Sequence, residues 1–183
     1  AEGDPAFTPE TAAAADTARW TDEALSALDA ALAALARQTE WSGPEAAGEA
    51  RAILEVAEPL KDAARRLAAA GAGTQLSRIH GAFNLARVLV AGGDAYIVDF
   101  DGAPDLPVDE RRRKDSPLRD VASLIRAFDT AAAHVDFTGT EIHGLASPHQ
   151  RRLLMARFRS RAQRAFLAGY SEGGGSGAER GLG

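Results

Sequence analysis

The chain has 183 residues, of which 26% are charged and 45% hydrophobic, the composition of a folded domain large enough for one core. Its formal net charge of −5 argues against bulk electrostatic binding to nucleic acid or an anionic membrane, and the absence of cysteine excludes disulfides, thiol catalysis and Cys-based zinc sites. No run approaches the roughly 20 apolar residues of a membrane span, and the acidic start Ala1-Glu2-Gly3-Asp4 does not read as a signal peptide, so a cytoplasmic setting is expected.

Residues 1–10 read as an extended entry containing Pro5 and Pro9. From Thr11 to about Arg37 the residues Trp20, Ala24, Leu28, Ala31 and Leu35 recur every three or four positions, which predicts a long amphipathic helix. Trp41-Ser42-Gly43-Pro44 is a break. A second helix is predicted from Glu45 to Ala70 on a stripe of Ile53, Leu54, Ala57, Leu60, Ala64 and Leu67, kinked or divided at Pro59. The glycines of Ala70-Gly71-Ala72-Gly73 suit its C-terminal cap.

Gln75–His80 suggests a short strand. Arg87–Val90 and Ala95–Phe100 are richer in β-branched residues, and Ala91-Gly92-Gly93-Asp94 between them is a hairpin connection. Gly102–Lys114, with Pro104, Pro107 and the basic run Arg111–Lys114, is expected to be irregular, the run forming a solvated face. Ser116-Pro117 supplies a cap and a first helical residue for a helix through Val121, Leu124, Ile125 and Phe128 to about His134. Asp136–Ser147 reads as irregular. A last helix is predicted over Pro148–Gly169 with Leu153, Leu154, Phe158, Ala162 and Phe166 on one side, and 171–183 as a flexible Gly/Ser-rich tail. The arginines between Arg151 and Arg164 are expected to offset the acidic first helices rather than to bind nucleic acid. His134, His143 and His149 lack metal-ligand spacing.

The stretch that stands out chemically is the polar loop RIHGAFNLARVL from Arg78 to Leu89, followed by a hairpin that ends in Val98-Asp99-Phe100-Asp101-Gly102. A polar loop followed by an apolar hairpin and an acidic turn is the pattern by which phosphotransferases assemble a proton-accepting carboxylate and the ligands of a nucleotide-bound metal.

With VDFDGAP after the hairpin and ERRRKDSPLRDVA further on, the segment from about Thr74 to Phe128 closely resembles maltokinase, especially the maltokinase-like domain fused to bacterial trehalose synthases. The flanking helical segments extend the resemblance over most of residues 7–170. It implies a mostly α fold with a small β-hairpin, the C-terminal lobe of a protein-kinase-like fold. It further implies residues 1–170 as one such lobe without the N-terminal nucleotide lobe, and a family activity of ATP- and magnesium-dependent phosphorylation of maltose to maltose 1-phosphate.

The departures from the family pattern fall in the loop. The position of the family's catalytic aspartate is Ala82, its second loop His is Asn84, its Gly is Ala86, and its metal-binding amide is Arg87. Asp99 stands at the other metal-binding position, and Asp101 replaces a Glu conservatively. A guanidinium has donors only and cannot ligate magnesium, so Asp99 alone is a weak metal site. His80 is expected to brace the loop backbone, and Asp120 to anchor backbone amides; Asp101 is also taken as structural. The two lysines, Lys61 and Lys114, lie in no strand pattern suited to a nucleotide. No catalytic residue is therefore intact, no cofactor is expected for this chain, and an inactive lobe is predicted. Its expected partners are maltose, bound weakly, and a trehalose synthase domain or an N-terminal lobe. The alternative is a non-enzymatic scaffold or partner-binding module, whether degenerate or engineered.

Overall fold

The computed structural model describes residues 4–138 and 147–173, and the contact pattern divides the chain into two compact units. The first, Thr11–Gln75, is built from three helices. It is entered after the two-residue strand β1 (Glu10–Thr11), and α1 (Ala14–Arg37) then packs on α3 (Ala57–Ala70) and touches α2 (Pro44–Glu55). At the start of α1 the Ala13 N–H donates to the Asp16 carboxylate at 3.0 Å. The Ala12 N–H donates to the Thr74 carbonyl at 2.8 Å, and the Gly73 N–H to the Ala12 carbonyl at 3.0 Å, which closes the ends of the unit on each other.

The second helix of the sequence reading is two helices, and they part at Val56 rather than at Pro59. The reason is the proline itself. A proline ring collides with the carbonyl four residues back, here that of Glu55, the last residue of α2. Pro59 is thus accommodated in the first turn of α3, where the missing N–H costs little.

The inward stripes also shift. In α1 the buried residue is Leu32 rather than Ala31, with Trp20, Ala24, Leu28 and Leu35 half-buried. Along α2 and α3 the covered positions include the buried Ala50 and the half-buried Leu54, Ala57, Lys61, Ala64 and Ala68, whereas Ile53, Leu60 and Leu67 are exposed. Alanine on this face leaves room for α1, which packs on α3. The Lys61 ammonium binds Asp29 of α1 at 2.8 Å and Glu58 at 3.2 Å, so the helix pair is tied by charge as well as by contact.

The second unit comprises 1–10 and 76–183. The strand β2 (Gln75–Leu76) leads to a backbone bridge in which Ser77 and Asp115 exchange N–H···O bonds of 3.0 Å each. A single 3₁₀ turn (Leu85–Arg87) then enters the antiparallel hairpin of β3 (Val88–Ala91) and β4 (Asp94–Ile97). Ala91 pairs with Asp94, so the turn is the two residues Gly92 and Gly93, with φ of 63° and 90°. Both values favour glycine and match the twist of a tight hairpin.

The segment expected to be irregular after Gly102 contains a short helix, α4 (Val108–Arg112). Of the basic run, Arg112 and Arg113 are exposed as expected, whereas Arg111 and Lys114 are half-buried. The Lys114 ammonium bonds the Pro5 carbonyl at 2.7 Å and the Glu10 carboxylate, and the Arg78 guanidinium donates to the Arg112 carbonyl at 2.8 Å. α5 (Leu118–Thr138) starts two residues after Ser116 and runs beyond His134. Its start is fixed by Asp115, whose carboxylate accepts the Ser116 N–H at 2.8 Å and pairs with Arg119 at 2.9 Å.

α6 (Pro148–Gly173) packs along α5. Phe128 meets Phe158 and Phe166 edge-on at centroid separations of 6.2 and 6.4 Å. The Gln163 side-chain amide donates to Asp129 at 2.9 Å, and Arg159 lies 3.6 Å from the same carboxylate. Of the expected stripe, Leu153, Leu154 and Phe158 are exposed while Ala162 and Phe166 are covered, and the covered side of α6 also takes in Met155, Gln163 and Tyr170. The buried residues of this unit are Leu76, His80, Phe83, Asp115, Val121, Leu124 and Ala132. His143 and most of the tail from 171 onward lie outside the described residues. No helix among the described residues is long and apolar enough to cross a membrane.

Candidate functional site

The site is the meeting of two loops, one at His80–Arg87 and the other at Val98–Gly102. Both hang from α5 and the β3–β4 hairpin. The Asp120 carboxylate, in the first turn of α5, accepts the His80 N–H at 2.7 Å and the Gly81 N–H at 3.0 Å. One side chain therefore sets the path of a loop some forty residues earlier. Gly81 has φ +77°, and a Cβ there would lie 3.5 Å from the Gly102 Cα, so the two loops approach backbone to backbone. Gly102 (φ +80°) is hemmed in by the Arg111 side chain, 3.0 Å from where its Cβ would stand.

His80 is 5% exposed, its ring packed at a tilt against Phe83 (centroids 5.4 Å apart) and Phe100 (5.0 Å). Its Nε2 lies 3.0 Å from the Val98 carbonyl, and its Nδ1 lies 3.4 Å from the Ala82 N–H. A carbonyl can only accept and an amide N–H can only donate, so this network assigns the proton to Nε2. Both ring nitrogens are then committed to backbone.

Ala82 supplies no titratable group. Asn84 turns its side chain onto its own loop, donating from Nδ2 to the Ala82 carbonyl at 3.1 Å and accepting the Ala86 N–H at 2.9 Å. It thereby caps the 3₁₀ turn that delivers Arg87. The Arg87 guanidinium forms an ion pair with the Asp99 carboxylate through Nη1 and Oδ2. Asp99 has φ 63°, the one non-glycine residue in the left-handed region among the described residues. Asp101 contributes its carbonyl, which lies 3.5 Å from an Arg111 guanidinium nitrogen, rather than a carboxylate contact.

The structure thus brings His80, Ala82, Asn84, Arg87, Asp99 and Asp120 together and leaves the Asp101 side chain exposed. His134 and His149 lie apart on α5 and α6. Sequence reasoning passed over Asp115, buried at 5% exposure, although an Asp one residue before Ser-Pro is a recognisable helix-start signal. It also passed over Phe83 and Phe100, the aromatic clamp on His80. Their position on either side of the loop and hairpin was the available clue.

The donor set does not fit magnesium, which takes an octahedron of oxygens. The guanidinium on Asp99 offers five N–H donors and no lone pair. Among the described residues no group of three or more His, Cys, Asp and Glu side chains is arranged around an ion.

No protein-family model matches the chain. It is 33% identical over 159 residues to glucosamine kinase from Streptacidiphilus jiangxiensis, an alignment that takes in 87% of this chain and 32% of that protein. Among solved structures, glucosamine kinase in crystal form B superposes with a TM-score of 0.68 at 30% identity, over 89% of this chain and 35% of that one. The same enzyme in complex with glucosamine, ADP and inorganic phosphate gives a TM-score of 0.58 at 30% identity, over 88% and 38%. The chain spans about a third of the length of the relatives it matches. It is homologous to glucosamine kinase, a sugar kinase with a kinase-like fold, and the mostly helical architecture with small sheets agrees. The homology reaches the sugar kinases as a class, a coarser level than the maltokinase of the sequence reading.

Proposed function

Starting from that homology to a sugar kinase, we propose that residues 1–170 form the C-terminal lobe of a sugar phosphotransferase fold in which the chemical step has been lost. The observation that carries this reading is the Arg87–Asp99 ion pair beside Ala82. Transfer of a terminal phosphoryl group from ATP to a sugar hydroxyl needs a group to receive the hydroxyl proton and a cation to offset charge on the phosphates. Ala82 can do neither. Asp99, the carboxylate suited to hold the cation, is engaged by an arginine.

Loss of a general base alone removes on the order of a hundred- to ten-thousand-fold in rate. What the residues still do is structural. Asp120 holds the loop, His80 locks it to the hairpin, and Arg87 neutralises Asp99. The lobe then serves as a folded module that contributes surface rather than chemistry. Its partners on this reading are a sugar of the maltose or glucosamine type, and a trehalose synthase domain or nucleotide-binding lobe.

The test is an incubation of the chain with ATP, magnesium and either maltose or glucosamine, followed by phosphorus NMR. No sugar phosphate above a no-protein control is expected. Enzyme-dependent formation of either sugar phosphate refutes the proposal.

A further inference from the structure

We infer that Arg87 is a tethered replacement for a divalent cation, so that the turn at Asp99 keeps its shape with no metal bound. This rests on the phosphotransferase reading of the site and adds a role for a residue which that reading only counts as a loss.

The hairpin places the two groups. Its two-residue turn sets the register at Val88 opposite Ile97, and the ladder continues one step further, where the Val98 N–H donates to the Arg87 carbonyl at 3.1 Å. Arg87 is thus opposite Val98, and Asp99 is the next residue on the facing side. In a regular strand successive side chains point to opposite faces, so Asp99 would turn away from Arg87. The left-handed φ of Asp99 breaks that alternation just past the end of β4, and there the Arg87 guanidinium meets its carboxylate.

The turn has need of such a group. Asp99 holds φ 63°, a left-handed conformation that residues with a Cβ adopt uncommonly. Among the described residues, the Arg87 guanidinium is the partner of its carboxylate. Removing the positive charge would leave two exposed carboxylates, those of Asp99 and Asp101, two residues apart in the turn without the guanidinium that now pairs with one of them.

Charge and connectivity decide between the arginine and a free ion. One guanidinium cancels one carboxylate, so the pair is neutral and offers little further attraction to a divalent ion. A free cation must compete with a group attached to the same chain, whose effective concentration is of millimolar order or higher. It must also expel the guanidinium toward water, next to its own charge. The Arg87 Nε–H is buried and has no acceptor among the described residues. The guanidinium is therefore held from one end, through the Asp99 contact, and Asp99 is what fixes it in place.

Manganese, a paramagnetic substitute for magnesium, tests the inference by amide NMR on the full chain. In the wild-type protein, millimolar Mn²⁺ is expected to leave the amides of Asp99, Phe100 and Gly102 no more broadened than other exposed amides. In Arg87→Asn, which offers an amide oxygen beside the freed carboxylate, the same amides are expected to broaden at tenfold or more lower Mn²⁺ concentration. Selective broadening in the wild-type chain overturns the inference, and so does its absence in folded Arg87→Asn. If Arg87→Asn is unfolded, refolding by Mn²⁺ supports the replacement and indifference to Mn²⁺ overturns it. Metal seen at Asp99 of the wild-type chain refutes this inference alone, whereas sugar phosphate formation refutes the phosphotransferase reading beneath it.

Discussion

Asp120→Ala is the substitution whose effect follows most directly from the geometry. The carboxylate accepts two backbone N–H groups, of His80 at 2.7 Å and of Gly81 at 3.0 Å. A hydrogen bond to a charged acceptor is worth about 1.5–3 kcal/mol net, but the two are not equal here. The Gly81 bond is exposed and the His80 bond is partly buried, so water can replace most of the first and little of the second. Loss of a carboxylate from the first turn of α5 adds about 0.3–1 kcal/mol through the helix dipole. The sum is about 2–3 kcal/mol, or a melting temperature lower by about 5–10 °C for a chain of this length.

Asp120→Asn keeps one acceptor oxygen but turns an NH₂ toward the second amide, so at least half of that loss is expected. The assays are thermal melting by circular dichroism and hydrogen exchange at single amides. Exchange at His80 and Gly81 should accelerate in both variants, since it reports opening of the loop even where the helices stay folded. Melting within about 0.5 kcal/mol of wild type, together with unchanged exchange at these two amides, would refute the claim that Asp120 holds the loop.

Two further outcomes concern the helical unit 11–75. Gly71→Ala places a Cβ 2.6 Å from the Trp20 ring and 3.2 Å from the Ala68 carbonyl, so overpacking should destabilise by about 1–3 kcal/mol, with a change in Trp20 fluorescence read in parallel with the melt. Lys61 is held above its ordinary value of 10.5 first by its hydrogen bond to Asp29 and then by that to Glu58. A raised lysine stabilises the fold fully below its unfolded value and loses that contribution as pH rises through the folded one. The difference in melting temperature between wild type and Lys61→Met should therefore be constant through neutral and mildly alkaline pH and vanish only above 10.5. A difference that disappears below that pH would count against the two carboxylates as its cause.

Features set by neighbours in the chain were legible in the sequence. Pro59 forbids one particular helical hydrogen bond and so splits the second helix, though the break falls where the displaced carbonyl lies, at Glu55–Val56, and not at the proline. Gly92-Gly93 admits a tight turn, the turn fixes the register, and the register sets Arg87 opposite Val98, one residue before Asp99. The loop residues of the site are all within this local reach, from His80 to Gly102. The periodicity of the second helix also marked an apolar face, but not which of two adjacent stripes is covered. That depends on α1, which packs on α3 and meets Lys61 through Asp29; Ala57, Ala64 and Ala68 are half-buried, while Ile53, Leu60 and Leu67 stay exposed.

What the chain order could not state is which distant groups meet. The Asp120 carboxylate reaches back to His80, Asp115 bridges to Ser77, and Lys114 reaches Glu10 more than a hundred residues away. Periodicity and turn chemistry are sums over a few adjacent residues, and they carry no term for such pairs. A charged side chain near a loop reads the same whether it is solvated or holding a backbone forty residues off. Only the closure of the tertiary fold brings a specific N–H to a specific carboxylate, and with it the difference between a surface aspartate and the one that shapes the site.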